Sequence, residues 1–510
     1  MRVILLLHRY LGIAVGLLMT LWCVSGFVMM YQEYPALTEA DRIAGLEPLD
    51  FSGCCAEAAL EGPDDAPLGA FRIEMLLGDP VLRTSGGRRG SFSAALNLRT
   101  GEPVDTLTPE EVLEVAARHG RGLRIDGEPR LLGLVEIDQW TVQTAARNRP
   151  VYHIAFDDPR GHEIYVSGSS GEVFQQTSTR TRTLAWLGAI PHWLYPLQLR
   201  QNGPLWTQIV IWTSVLGTFL AAVGLYVGIA RFKRRGRHGR PGSPYFGWWY
   251  WHHVSGLVFG VLTLTWVFSG LMTMNPWGLL SGGGEGGRYA ARLTGGGTLG
   301  ELRELIAALS SDASRFGDLR QIRSAPFDGR LFVHAIRGNG ERLRLAANGD
   351  EATLTAADVE AAIAALGVPV RELVLLERED AYYYGRKRTV ELPVYRAVLD
   401  DADETRLYVA PESGSVRPVG STGRWSRWIR TGLHGLDFPV LRWRPLWDIV
   451  VMLLLAGVTV VCATGTWMAA KRVVFDARRW RRAIARRWRR SAERRVAAAA
   501  SGRSPAMPDL

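Results

Sequence analysis

The sequence predicts a membrane protein in which a four-helix transmembrane bundle carries two external α+β domains. Two observations predict this fold class: four long windows without a charged side chain, and an alignment of the chain with itself. The composition agrees, because 47% hydrophobic residues and a mean hydropathy of 0.00 are too apolar for a typical soluble enzyme and too polar for a chain wholly in lipid. The 510 residues therefore combine membrane spans with sizeable water-exposed domains.

Four windows contain no Asp, Glu, Lys or Arg and exceed the roughly 20 residues that a helix needs to cross hydrocarbon. They cover residues 10–32, 205–230, 254–280 and 449–470. The first is similar to a secretory signal because Arg2 precedes an apolar run, but its length and its later near-copy argue against cleavage. We expect transmembrane helices within residues 1–32, 201–230, 251–280 and 444–470.

The basic residues indicate which side of the membrane each segment faces. The predicted loop 231–250 has six Lys or Arg and no acid, and the tail 471–510 has thirteen basic and three acidic residues. Under the positive-inside rule both segments and both termini are cytoplasmic, so residues 33–200 and 281–443 face a periplasm-like space. The net charge of +10 then reflects topology and contact of the tail with anionic lipids rather than nucleic-acid binding.

The chain aligns with itself over helices and external segments. LHRYLGIAVGLLMTLWCVSGFVMM, from Leu7, matches WHHVSGLVFGVLTLTWVFSGLMTM, from Trp251, and PVYHIAF, from Pro150, matches PVYRAVL, from Pro393. One unit of helix, external domain and helix thus occurs twice. An even number of spans separates equivalent points, so a pseudo-two-fold axis along the membrane normal relates the copies. Two small-xxx-small pairs, for close helix packing or close approach of a flat cofactor, recur: Gly12/Gly16 and Gly256/Gly260.

Each external segment predicts a small α+β fold. Amphipathic helices are expected at 107–120 and 354–367, with Thr108 and Thr355 as caps, and strands follow at VYHIAF and VYRAVL. Neither segment contains a nucleophile elbow, a P-loop or a dinucleotide fingerprint. The run of tyrosines at 382–384 either lines an aromatic site or belongs to a strand edge.

The four cysteines exclude a disulfide framework, a Cys-based zinc ribbon and, because no C-x-x-C-H occurs, covalent haem attachment. Cys54 and Cys55 are adjacent. They are either redox-active or incidental, and a bond between neighbours strains the backbone.

Four of the ten histidines occupy equivalent places in the two copies, near the predicted ends of spans: His8, His192, His252 and His434. A single histidine at a membrane boundary is usually an interfacial residue, but the symmetry changes this expectation. The two-fold axis brings equivalent residues face to face, and two opposed imidazoles supply the two axial ligands of a haem iron. The sequence therefore predicts two b-type haems, with His8 and His252 on the cytoplasmic side and His192 and His434 on the outer side.

Zinc is the competing metal, but it needs three or four ligands and no carboxylate or cysteine lies beside these histidines. His253 is the alternative to His252, although the glycines four and eight residues later favour His252. Nearby arginines are candidates to neutralise haem propionates, with anchoring to lipid phosphate as an equal alternative. These arginines are Arg9, Arg200 and Arg442.

The two helix motifs, LHRYLGIAVGLLMTLWCVSGF and WHHVSGLVFGVLTLTWVFSG, resemble the PepSY-associated transmembrane helix family, and the outer segments resemble PepSY modules. The resemblance covers nearly all of residues 1–472. The family includes bacterial inner-membrane reductases of ferric siderophores, with a four-helix haem-binding domain under periplasmic PepSY domains. The resemblance thus implies iron uptake, an inner-membrane location and the four histidines as haem ligands. The 40-residue tail is too short for a flavin or nicotinamide domain, so a separate cytoplasmic or membrane electron donor is expected.

The function implied is transmembrane electron transfer that reduces ferric siderophores or other Fe(III) chelates in the periplasm. Hard oxygen donors hold Fe(III) more firmly than Fe(II), so one electron loosens the metal. Two alternatives remain open. One is a haem-free PepSY protein that binds a periplasmic peptidase or envelope partner, and the other keeps the haems but passes electrons to a quinone, copper or a thiol.

Overall fold

The structure is a computed structural model that describes residues 1–55, 60–85, 92–234, 242–281, 284–385 and 390–500. Parts of the predicted basic loop, at 235–241, and of the predicted basic tail, at 501–510, lie outside the described residues. The chain forms two compact units. The first, here the helical unit, comprises Met1–Phe27, Gln208–Met274 and Leu441–Leu510, and the second, the sheet unit, comprises Val28–Thr207 and Asn275–Val440.

Helices account for all of the long segments of the helical unit and for short segments of the sheet unit. In chain order the α-helices are Arg2–Met29 (α1), Glu39–Ala44 (α2), Pro109–Leu123 (α3), Thr179–Leu187 (α4), Ala189–Trp193 (α5), Leu197–Arg200 (α6), Gly203–Arg231 (α7), Trp248–Thr273 (α8), Glu285–Leu293 (α9), Leu299–Ser311 (α10), Ala313–Phe316 (α11), Ala356–Ala364 (α12), Ser421–Ser426 (α13) and Leu446–Ala500 (α14). A π-helix covers Arg427–Leu433.

The strands all belong to the sheet unit. In chain order they are Phe71–Leu76 (β1), Asp79–Ser85 (β2), Phe92–Asn97 (β3), Pro129–Val135 (β4), Val151–Phe156 (β5), Glu163–Ser167 (β6), Val173–Thr177 (β7), Leu319–Ser324 (β8), Phe332–Arg337 (β9), Arg342–Ala346 (β10), Val370–Leu376 (β11), Val394–Leu399 (β12), Arg406–Val409 (β13) and Val416–Val419 (β14).

In the part of the chain that the structure describes, four helices are long and apolar enough to cross a membrane, which indicates a membrane protein: α1, α7, α8 and α14. They share one apolar core, to which each contributes side chains. Gly16 is needed for the approach of α1 to α14, because a Cβ there would lie 3.3 Å from Thr466 Oγ1. Gly260 has the same role between α8 and α7, because its Cβ would lie 2.9 Å from Leu225. The buried core residues are Val15, Met19, Leu220, Val458 and Cys462.

The ends of two of these helices differ from the expected spans. Helix α8 ends at Thr273, seven residues before the expected end at 280, because Asn275 adopts a left-handed φ of 47° and Pro276 follows it. Helix α14 continues from the expected span through the basic segment as far as Ala500. Its Ala and Arg residues have high helix propensity, so nothing in this segment ends the helix at residue 470.

Two four-stranded antiparallel sheets repeat one topology. Their strand orders are β4-β5-β6-β7 and β11-β12-β13-β14. The helices expected before them are confirmed: α3 and α12 begin after Thr108 and Thr355, and each threonine forms a capping box with the residue three positions later. The strands expected at VYHIAF and VYRAVL are confirmed as β5 and β12.

A third sheet joins the two external segments, which were expected to form separate domains. It has six strands in the order β10-β9-β8-β1-β2-β3, so three strands come from each segment. Strands β1 and β8 are antiparallel neighbours, with Arg72 opposite Arg323 and Ile73 opposite Ile322. One face packs on α10 through an apolar core that includes Ile73 and Leu305. At the edge of that core Cys54 and Cys55 are bonded to each other, which the sequence did not predict.

Candidate functional site

The helical unit brings together two histidines that are 244 residues apart in the chain. His8 lies in α1 and His252 in α8, and their ring centroids are 6.1 Å apart with an angle of 33° between the ring planes. Both side chains are half-buried. The expected pairing of these two imidazoles is therefore present in the geometry of the bundle.

Each of these rings lies against a glycine on a neighbouring helix. A Cβ at Gly224 of α7 would lie 2.6 Å from Cε1 of His8, and a Cβ at Gly465 of α14 would lie 3.0 Å from Cε1 of His252. Any larger side chain at Gly224 would displace the His8 ring. The two glycines are 241 residues apart, which is the spacing of the Pro-Leu-Trp repeat. Sequence reasoning missed them, although this spacing was a signal that marks them as equivalent.

Polar groups of α14 orient the ring of His252. His252 Nδ1 lies 3.1 Å from the carbonyl oxygen of Val461 and 3.2 Å from Thr464 Oγ1. A proton on Nδ1 of His252, donated to the carbonyl, leaves the lone pair of Nε2 for a metal, which is the usual arrangement of a histidine ligand.

The sheet unit contains the second predicted pair. His192 lies in the short helix α5, and His434 directly follows the π-helix Arg427–Leu433. Their ring centroids are 6.3 Å apart, with an angle of 54° between the planes. Both side chains are half-buried. The separation is nearly that of the His8 and His252 rings.

An aromatic cluster surrounds the chain on either side of His192. Trp193 stacks with Tyr34 at 6.1 Å, and its carbonyl oxygen accepts a hydrogen bond from Nε1 of Trp206 at 3.0 Å. The guanidinium of Arg200 lies over the rings of Tyr195 and Trp206, at 5.2 and 4.7 Å from their centroids. These cation–π contacts hold Arg200 within the cluster.

The two ring separations fit a single metal between each pair. A metal–imidazole bond is about 2 Å and the bonded nitrogen lies about 1.1 Å from the ring centroid, so imidazoles opposed across one metal have centroids about 6 Å apart. Among the described residues no group of three or more His, Cys, Asp and Glu side chains is placed to bind a metal ion. Two imidazoles at this separation match the number and spacing of the axial ligands of a haem iron.

The other predicted residues have different surroundings. His253 is buried, and its Nε2 lies 3.0 Å from the carbonyl oxygen of Gly228, with the ring of Tyr245 at 5.2 Å. It therefore faces α7 rather than His8, which favours His252 as the partner of His8. Arg9 is exposed on α1, and Arg442 is half-buried in the turn before α14.

Two glycines near His8 and His252 have open space beside them. Gly12 and Gly256 lie four residues after His8 and His252, one helical turn along the same face. A Cβ at either position would meet no described atom within 4 Å. Their neighbours Gly16 and Gly260 make close helix contacts, so only the first glycine of each predicted pair is free for a cofactor.

One repeated carboxylate was missed by the sequence analysis. Asp138 accepts hydrogen bonds from the backbone of Trp140 at 2.9 Å and from the Tyr165 hydroxyl at 2.6 Å. Asp380, 242 residues later, accepts the same bonds from the backbone of Tyr382 and from the Tyr408 hydroxyl, both at 2.7 Å. These carboxylates fix the turn before the central strands of each four-stranded sheet.

A comparison of the chain with known proteins found no family model and no curated protein that matches it.

Proposed function

We propose that the chain is a di-haem electron-transfer protein of the bacterial inner membrane that reduces Fe(III) chelates on the periplasmic side. The observation that carries the proposal is the repetition of one geometry: two histidine pairs with ring separations of 6.1 and 6.3 Å, one in each unit. A chance approach of two imidazoles explains one such pair more easily than two pairs at equivalent positions of a repeated sequence.

The proposal treats the chain as a tandem duplication related to PepSY-containing membrane proteins. The two four-stranded sheets with one strand order support this, as do the equivalent hydrogen bonds of Asp138 and Asp380. Under the positive-inside rule, the basic loop and tail support a cytoplasmic location for both termini and an external one for the sheet unit. Anionic lipids are the expected partners of the tail.

Four histidines would hold the two haems, His8 with His252 and His192 with His434. When bound, the haems would supply one-electron carriers that divide roughly 30 Å of hydrocarbon into shorter transfers. The Val461 carbonyl orients the His252 ring through Nδ1. Gly224 and Gly465 give the rings space, and Arg200, in the aromatic cluster that follows His192 in the chain, would add a positive charge that favours bound propionates.

The acceptor follows from the proposed orientation and the family resemblance. A ferric siderophore outside the membrane holds Fe(III) through oxygen donors, and one electron converts the metal to the more weakly held Fe(II). The electron would come from a separate donor on the cytoplasmic side or in the membrane.

The test is a stopped-flow reaction of reduced protein. Purified full-length protein is loaded with haem, reduced with dithionite without oxygen, freed of excess reductant and mixed with an Fe(III) chelate. We expect the haem absorption to return to the oxidised spectrum while Fe(II), trapped by ferrozine, appears in equal amount.

The control is the His192→Ala variant, which would lose the outer haem and should reduce the chelate at least tenfold more slowly. A reduced haem spectrum that persists in the presence of the chelate would contradict the proposed acceptor. Purified protein that binds no haem would contradict the whole proposal.

A further inference from the structure

A cavity of about 400 Å³ lies beside the helical turn that leads to His434. Its wall includes Arg427 and Thr431 of the π-helix, and Thr431 is three residues before His434. This volume is within the range of about 300 to 1,000 Å³ typical of small-molecule sites. Of the two proposed haem ligands in the sheet unit, His434 is thus three residues along the chain from the wall of a ligand-sized cavity.

The lining of this cavity combines aromatic rings, positive charge and hydroxyls. Two tyrosines and two arginines contribute, and no Asp or Glu is among the described lining residues. Such a surface suits a planar aromatic group that carries negatively charged oxygens, because rings stack and arginines form charge-assisted hydrogen bonds. The lining residues that bear this chemistry are Tyr382, Tyr384, Arg417, Ser426, Arg427 and Thr431.

The inner arginine is held in place. Arg427 is 8% exposed, and it donates to the carbonyl oxygens of Ala381 at 3.0 Å and of Asp437 at 2.7 Å. Its guanidinium lies 4.4 Å from the centre of the Tyr384 ring. The Asp437 carboxylate, 3.7 Å away, balances part of its charge. The side chain is therefore ordered before any ligand binds.

The outer arginine supplies the net positive charge of the cavity. Arg417 is exposed on β14 and lies 5.8 Å from the Tyr383 ring centre. Among the described residues no carboxylate lies within ion-pair distance of it. Its charge is thus available to a ligand at the mouth.

The first half of the chain fills the equivalent place with its own residues. Gln175 pairs with Tyr165 as Arg417 pairs with Tyr408, so Gln175 is the counterpart of Arg417. Gln175 is 5% exposed and donates to the carbonyl oxygen of Pro35 at 3.0 Å.

The counterpart of Tyr382 is likewise covered in the first half. Trp140 follows Asp138 as Tyr382 follows Asp380, and the ring of Tyr34 lies 5.9 Å from it. Residues 34 and 35 therefore cover the place that is open in the second half. The cavity is thus open only in the second half of the chain, as expected if only that half binds a substrate.

We propose that this cavity binds an aryl oxyanion arm, of the catecholate class, of an Fe(III) chelate. The ring would lie against Tyr382 and Tyr384, and the oxyanion edge would face Arg417 and Arg427. The inference rests on the proposed function, which supplies the chelate as substrate, and it adds the chemical class that the site selects.

The test measures binding without electron transfer. The Ga(III) complex of 2,3-dihydroxybenzoate has the charge and shape of the Fe(III) complex but is not reduced. Its affinity for the haem-loaded full-length protein is measured by isothermal titration calorimetry in detergent, beside a Ga(III) trihydroxamate that lacks aryl rings. We expect the catecholate complex to bind at least tenfold more tightly than the trihydroxamate.

The decisive variant is Arg417→Gln, which installs the residue found at the counterpart position, Gln175. It should weaken binding of the Ga(III) catecholate about tenfold, because one charge-assisted contact is lost. Arg342→Gln removes an exposed arginine from β10, outside the cavity, and should leave the affinity unchanged. Tyr382→Leu should weaken binding, whereas Tyr382→Trp should retain it, since the counterpart is Trp140.

The outcomes separate the site from the proposed function. Equal affinities of Arg417→Gln and Arg342→Gln, no measurable binding to the unmodified protein, or equally tight trihydroxamate binding would overturn the site. Selective binding lost in Arg417→Gln supports the site even when the Fe(III) complex fails to oxidise reduced haem, a result that contradicts only the electron-transfer proposal.

Discussion

The imidazole rings of His8 and His252 lie 6.1 Å apart across the helical unit, although 244 residues separate them in the chain. Each ring lies against a glycine, and the glycines are themselves at equivalent positions of the repeat. The same relationship between repeated histidines recurs in the sheet unit at 6.3 Å. Both separations are consistent with two imidazoles that share one metal. The predictions about haem content rest on these two distances.

The Gly224→Ala variant should lose the haem that His8 is proposed to hold. The new Cβ would lie 2.6 Å from Cε1 of His8, so the ring must move. Gly228→Ala, one turn later on α7, is the matched control because its Cβ would make only an ordinary 3.5 Å contact with Leu257. Haem content, measured by the pyridine haemochrome method, should fall to about one per chain for Gly224→Ala and stay at about two for Gly228→Ala. Equal haem content in both variants would contradict the assigned position of His8.

Glu74 should be among the most sensitive positions for the stability of the sheet unit. Its carboxylate is 2% exposed and lies 2.6 Å from Arg42 Nη1, 3.0 Å from Arg72 Nε and 3.3 Å from Arg83 Nε. Although burial opposes its charge, these arginines, Arg72 foremost, hold the pKa of Glu74 below its usual range.

The Glu74→Gln variant therefore leaves three arginines without their shared counter-charge. We expect the free energy of unfolding to fall by about 3 to 5 kcal/mol, measured by urea denaturation. Glu114→Gln removes the partly exposed partner of Arg118, at 2.7 Å, and should cost less than about 1 kcal/mol. Similar losses for the two variants would show that the buried cluster does not stabilise the sheet unit.

Acid should destabilise the sheet unit through His119. This residue of α3 is 4% exposed, and burial lowers its pKa to about 4. Between about pH 6.5 and 4 the unfolded chain binds a proton that the folded chain does not, so stability falls as the pH falls, by about 3 kcal/mol for a fully buried imidazole. His334 contributes in the same direction, because burial and nearby arginines lower its pKa to about 4.

The His119→Gln variant cannot take up this proton. We expect its thermal midpoint to change less between pH 7 and pH 4.5 than that of the unmodified protein, as followed by circular dichroism. An unchanged pH dependence in His119→Gln would exclude His119 as a source of acid sensitivity.

Much of the local structure follows from the sequence because its causes are local. Thr108 and Thr355 were expected to cap helices, and both do so, since a threonine before an amphipathic pattern satisfies free backbone N–H groups. The approach of His8 to His252 was also expected, because both residues lie at the start of two helix sequences that align with each other, and the structure brings their rings to 6.1 Å.

The six-stranded sheet was not predicted because the two strands that join its halves, β1 and β8, are far apart in the chain and carry charged residues. Arg72 and Arg323 lie opposite each other on β1 and β8, and charged residues in alternation within a strand usually indicate a solvent-facing side. Here Arg72 is 4% exposed, and its charge is balanced by Glu74 and Glu172. The tyrosines at 382–384 were candidates for an aromatic site, and two of them, Tyr382 and Tyr384, do line the cavity. The contribution of Arg417 was not predicted, because it meets Tyr382 only in the folded sheet unit.

The most direct test of the central claim is the haem content of single histidine variants. The unmodified protein, expressed with excess haem, should contain about two haems per chain with a bis-imidazole spectrum. His252→Ala and His434→Ala should each retain about one, and His253→Ala should retain both. An unmodified protein without haem, or two haems retained in both His252→Ala and His434→Ala, would contradict the account.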